Sequence, residues 1–124
     1  MQNRNSNPPS ILMLEDDYEL GQVMSLILSE AGYSVIWKRD GIDALPSIAD
    51  HQPDLVMLDM HMPNLSGLEI LQQIRTSETL AQTKVLVTTA DIQMATVAES
   101  MADVVFTKPF SIDQLINMVS RLSA

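Results

Sequence analysis

Leu55-Val56-Met57-Leu58 is an unbroken apolar run that stops at Asp59. Apolar side chains at every position, rather than every second one, describe a strand covered on both faces, and such strands belong to parallel sheets. The same pattern recurs along the chain. Ile11-Leu12-Met13-Leu14 stops at Glu15-Asp16-Asp17, and Val35-Ile36-Trp37 is a shorter run with the character of an edge strand. Lys84-Val85-Leu86-Val87-Thr88 is followed by Thr89-Ala90-Asp91, and Val104-Val105-Phe106 leads into Thr107-Lys108-Pro109-Phe110.

Helical spacing fills the intervals. Leu20, Val23, Met24, Ile27, Leu28 and Ala31 share one helix face, which Asp17 can cap and Gly32 can close in a left-handed turn. Asp40-Gly41-Ile42-Asp43 opens a second helix with Asp40 as its cap, and Pro46 inside it predicts a kink or a poorly formed turn. Ser66-Gly67-Leu68-Glu69 is a capping box for a helix through about Thr76, with Leu68, Leu71 and Ile74 facing inward. Residues 77–83 read as a loop. Met94, Val97, Ala98 and Met101 mark a short fourth helix, and Ser111 to Gln114 caps a fifth that carries Ile112, Leu115, Ile116 and Val119. Strands and helices in strict alternation mean an α/β fold: a doubly wound five-stranded parallel sheet with right-handed crossovers and helices on both faces. Its common strand order is 2-1-3-4-5, in which ligands gather outside the carboxyl ends of the first and third strands.

With 124 residues the chain is long enough for one domain, expected over residues 10–124 behind a polar, disordered lead-in at 1–9. A net charge of −9 argues against direct nucleic-acid binding and against an anionic membrane surface. The apolar runs are far too short to span a bilayer, and Met1 to Ser10 carries no hydrophobic signal region, so the cytoplasm is the expected location. The chain has no cysteine, which excludes disulfides, a thiolate metal site and a thiol nucleophile. The methionines read as core filler, Trp37 as edge-strand packing and His51 as a solvated helix end.

In this sheet one rim collects Glu15, Asp16 and Asp17 from the first strand, Asp59 from the third, Thr88 and Thr89 from the fourth, and Lys108 from the fifth. Two carboxylates about 5 Å apart at an effective dielectric near 20 repel by roughly 3 kcal/mol. Such groups raise their pKa values or hold a cation. All-oxygen donors with room for water suit Mg²⁺, and Mn²⁺ fits the same donors. Lys108 is a point charge suited to a phosphoryl oxygen or to Asp59 itself, and a threonine hydroxyl can donate to a second phosphoryl oxygen. Together these parts make a site for phosphoryl transfer onto Asp59, with the carboxylate as nucleophile and an aspartyl phosphate as product. The chain has no Gly-rich phosphate loop, so the donor must come from another molecule. Asp17 and Asp91 read as helix caps, and the His61 side chain as lining the entrance.

Carried by these motifs in this order, the chain from Ile11 to Leu122 resembles the receiver domain of two-component response regulators. The resemblance implies a flavodoxin-like sheet. It implies that Asp59 is the phosphoacceptor, Asp16 a direct Mg²⁺ ligand, Glu15 its partner through water, and the His61 backbone carbonyl a third protein ligand. Thr89 matches the switch hydroxyl and Lys108 the lysine that contacts the phosphoryl group, with Pro109 following through a cis bond. A sensor histidine kinase or phosphotransfer protein would supply the phosphoryl group, and a downstream protein would receive the signal. Catalysis would be limited to the domain's own phosphorylation and dephosphorylation, without enzymatic turnover.

Some positions depart from the family. Val105 stands where an aromatic is usual, while Phe106, one place later, should face the other side of the sheet. Met101 replaces a common glycine, the stretch from Thr89 to Lys108 is a little short, and Pro46 is unusual in the second helix. These departures motivate a second reading, a receiver-like docking module that works without phosphorylation. A third, a Mg²⁺-dependent phosphohydrolase of small molecules, has no substrate motif to support it. The end at Ala124 is compatible with a single-domain regulator or with a receiver excised from a longer chain.

Overall fold

A computed structural model describes residues 8–123. Its elements alternate as read: β1 (Ser10–Leu14), α1 (Tyr18–Glu30), β2 (Ser34–Lys38), α2 (Ala44–His51), β3 (Leu55–Asp59), α3 (Gly67–Thr76), β4 (Val85–Thr89), α4 (Ile92–Ala98), β5 (Val104–Thr107) and α5 (Ile112–Leu122). All strand pairs are parallel and the order is β2-β1-β3-β4-β5, a flavodoxin-like sheet with β2 at an edge. Of the lead-in expected at 1–9, residues 1–7 lie outside the described residues. Pro9 is already tied to β2, its carbonyl accepting from the Ser34 N–H at 2.9 Å.

The apolar runs are continuous because each strand has two covered faces. Leu12, Leu14, Val56, Leu58, Val85 and Val87 point to the side of α2, α3 and α4, where Ile48, Ile70, Leu71, Ile74 and Ala98 meet them. Ile11, Met13, Leu55, Met57 and Leu86 point to the side of α1 and α5, against Met24, Leu28, Leu115 and Val119. Each fully buried side chain of this kind is worth about 1.5–3 kcal/mol. The alternation puts Val105 with the first cluster and Phe106 with the second, as the pattern required.

Several local expectations are corrected. Asp40 does not cap α2; its carboxylate accepts from the Ile42 N–H at 2.9 Å, closing a turn, and the helix starts later, after Asp43. Pro46 is therefore the third residue of α2, where no intrahelical bond awaits its missing N–H. Val23, Ala31 and Val97 face solvent, while Ile70 and Ala95, outside the periodic sets, are buried. β4 begins at Val85 and runs through Thr89, one residue later than expected at each end. Asp17, Ser66 and Ser111 cap α1, α3 and α5 as anticipated, and Gly32 takes the left-handed conformation with φ 104°.

Candidate functional site

Each strand that meets the rim hands over its side chain by a different local device. β1 is followed by Glu15, whose N–H donates to the Lys38 carbonyl at 3.0 Å, so the ladder with β2 extends one residue past the strand. Asp17 then accepts from the Leu20 N–H at 3.1 Å and starts α1. Asp59 is the last residue of β3 and is buried. Its Oδ1 accepts from the His61 N–H at 3.1 Å. Asn64, at φ 73°, helps turn the chain from β3 into α3. Gly67 opens α3 so close to β3 that an added Cβ would lie 2.5 Å from the Asp59 carbonyl oxygen. The Lys108 N–H donates to the Thr89 carbonyl at 2.7 Å, which places Lys108 just beyond β5, and the Lys108–Pro109 peptide is cis.

These devices converge on a small charged cluster. Lys108 Nζ is 3.1 Å from Glu15 Oε1 and 3.2 Å from Asp59 Oδ2. Glu15, Asp16 and Asp59 each offer a carboxylate oxygen within 4.8 Å of the others, and Asp16 is the least buried of the three. Burial pushes the Glu15 carboxyl up to about 7, helped by the Asp59 carboxylate beside it and opposed by the Asp17 N–H and Lys108. Burial works against the Lys108 ammonium, but the two carboxylates more than offset it and its pKa is raised. Three formal negative charges against one positive leave two in excess. That surplus, on oxygen donors alone, fits a divalent hard cation such as Mg²⁺. Glu15, Asp16 and Asp59 are the side chains that would hold it.

Thr89 is fully buried at the end of β4, and its Oγ1 accepts from the Asp91 N–H at 3.0 Å. Asp91 in turn caps α4 through the Gln93 and Met94 N–H groups. His61 is exposed, and its backbone N–H donates to Asp59. A mostly apolar groove of about 430 Å³ includes Lys108 in its lining, with Asp17, Leu20, Pro109, Phe110 and Ile112. Sequence reasoning missed Trp37 and Arg39. Trp37 Nε1 donates to the Glu15 carbonyl at 2.9 Å, and Arg39 Nη2 donates to the Asp16 carbonyl at 3.1 Å. Their places at the end of the strand next to β1 were the available signal.

Comparison with known proteins agrees with this geometry. The family model of the response regulator receiver domain matches residues 11–120. The chain is 35% identical over 117 residues to the DNA-binding dual master transcriptional regulator RpaA of Synechocystis sp., covering 92% of this chain and 48% of that protein. It is 26% identical over 112 residues to sporulation initiation phosphotransferase F of Bacillus subtilis, covering 90% of each. It thus spans about half the length of RpaA and nearly all of the Bacillus protein. Among solved structures, response regulator TrrA of Thermotoga maritima in complex with Mg²⁺ and BeF has a TM-score of 0.82 at 30% identity, covering 92% of this chain and 98% of that one. The Francisella response regulator 1452 receiver domain has a TM-score of 0.83 at 30% identity, covering 93% and 96%. Among the described residues no helix is long and apolar enough to cross a membrane. Receiver domains bind Mg²⁺ at an acidic pocket, interact with histidine kinases and downstream effectors, and act as phosphoacceptors rather than as conventional enzymes. With the family model covering nearly the whole described chain, the protein belongs to the response regulator receiver domains of two-component systems.

Proposed function

We propose that the protein is a phosphorylation-operated switch whose phosphoacceptor is Asp59. The observation that carries this reading is the Lys108 ammonium held between the buried Glu15 and Asp59 carboxylates, with Asp16 alongside. An Asp59 carboxylate oxygen attacks the phosphorus of a phosphohistidine on a sensor kinase or phosphotransfer protein. The O–P bond forms as the P–N bond breaks, and the imidazole leaves with that electron pair and takes a proton from water. An Mg²⁺ ion held by Glu15, Asp16 and Asp59 would supply charge neutralisation for the transferring group. The His61 N–H holds Oδ1 in place, and the His61 carbonyl would join Glu15, Asp16 and Asp59 in holding the ion. Lys108 exchanges its contact with Asp59 for one with the phosphoryl group. The Thr89 hydroxyl donates a hydrogen bond to another phosphoryl oxygen and swings away from the Asp91 N–H, loosening the start of α4. Ile92 and Val97, exposed on α4, then belong to the surface that a downstream protein reads. The domain catalyses only its own phosphorylation and dephosphorylation, and the −9 charge gives it no nucleic-acid contact of its own.

The test is incubation with acetyl phosphate and Mg²⁺. Wild type should gain one acid-labile phosphoryl group and Asp59→Asn none; equal labelling of both removes the assignment. Val105, half-buried against the α4 side in place of a rotating aromatic, favours the docking-module reading as the second choice. Partner affinity that does not change with beryllofluoride would select it.

A further inference from the structure

We propose that Trp37 is a positioning residue for the divalent ion, holding the acidic turn by its backbone so that Glu15 and Asp16 stay aimed at Asp59. This rests on the ion-site reading above. The turn from β1 to α1 carries two carboxylates that crowd a third, and mutual repulsion tends to open it. β2 resists this from the side. The Trp37 indole N–H grips the Glu15 carbonyl at 2.9 Å, and Arg39 grips the Asp16 carbonyl at 3.1 Å. Within the turn, the Asp17 N–H donates to Glu15 Oε2 at 3.1 Å and fixes that carboxylate's angle.

The indole is itself located by a shape match. A Cβ at Gly21 on α1 would lie 2.1 Å from Trp37 Cζ2, so the ring occupies the room that a side chain at residue 21 would need. Tyr18 packs on Trp37 with ring centres 5.7 Å apart, and the Arg39 guanidinium lies 5.1 Å over the Tyr18 ring. A large aromatic opposite a glycine, with its one polar atom on the carbonyl of an ion-site residue, acts on the ion through that residue. Outer-sphere hydrogen bonds of this kind typically change metal affinity about tenfold or more when removed.

The experiment separates packing from positioning. Trp37→Phe deletes the N–H and leaves a gap; adding Gly21→Ala refills it. ¹H–¹⁵N spectra of the whole chain are followed through a Mg²⁺ titration, with melting curves alongside. In wild type the amides of Asp16, Asp59 and His61 and the Trp37 indole N–H should move on one binding curve. The double variant should recover most of the melting temperature that Trp37→Phe loses, yet bind Mg²⁺ about tenfold more weakly than wild type. Recovery of both stability and Mg²⁺ affinity makes Trp37 plain packing and overturns the proposal. If the double variant does not fold, the wild-type indole decides: a resonance that stays still while the Asp59 amide titrates overturns it, and one that moves with it supports it. Wild-type amides at 16 and 59 that ignore Mg²⁺ remove the ion-site reading itself, and this proposal with it.

Discussion

Glu15 keeps its proton to about pH 7 when folded, against an ordinary value of 4.5, because it is buried beside Asp59. An unfolded chain gives that proton up earlier. Between these values the native state binds more protons, so stability falls as pH rises through the window. The loss is at most about 3 kcal/mol, complete once pH has passed the folded pKa. Urea unfolding in EDTA at pH 5 and pH 7.5 should show this decline, and Glu15→Gln should flatten it. A wild type that gains stability over the same interval contradicts the burial account. Lys108 stays charged throughout, its pKa being raised. The clustering of Glu15, Asp16, Asp59 and Lys108 at one rim was legible because each ends or follows an apolar run. The part of Trp37 was not: its indole reaches a carbonyl 22 positions away, and an aromatic on an edge strand looks the same with or without that bond.

Secondary-structure elements here are joined at a few tight contacts, and two of these make predictions. α3 starts against the end of β3: a Cβ at residue 67 would meet the Asp59 carbonyl oxygen at 2.5 Å and Met60 Cα at 2.6 Å, both backbone atoms that cannot swing aside. Gly67→Ala should cost about 2 kcal/mol by overpacking and slow acetyl-phosphate labelling of Asp59, because the displaced atoms carry the proposed phosphoacceptor. At the other end of α3, Arg75 donates to the carbonyls of Met101, Ala81 and Thr83 and pairs with Asp103 at 3.0 Å. Asp103 also accepts from the Val85 N–H at 2.8 Å, so one side chain ties the α3–β4 and α4–β5 connections together. Arg75→Ala should cost about 2 kcal/mol and speed amide exchange in residues 77–83 and 99–103, with Asp59 labelling at the wild-type rate. Nothing in the local pattern marked Arg75, which sits in the last turn of a helix as basic residues ordinarily do.

For the molecule as a unit, a divalent ion held at the acidic cluster would act as a folding ligand. Mg²⁺ at ten times its dissociation constant should raise unfolding free energy by about 1.4 kcal/mol and shift the melting temperature accordingly. Asp59→Asn should lose most of that shift, and an unaltered shift in this variant places the ion elsewhere. The wild-type ion effect should grow from pH 5 to pH 7.5, since the ion requires the Glu15 proton to leave.

The alternation of strands and helices, the capped helix starts and the run of polar residues at each strand end are short-range properties. Period, burial on two faces and capping chemistry are written within a few neighbouring positions, and they were enough to give the alternation and the residues at each strand end, while the strand order came from analogy with the common doubly wound sheet. The start of α2, the place of Pro46 in its first turn, the outward turn of Val23 and Val97, and the grip of Trp37 and Arg39 on the acidic turn depend on which surfaces meet once the chain has packed. Those meetings join residues far apart in the chain, and a hydrogen bond or a steric fit between them has no period along the sequence to reveal it.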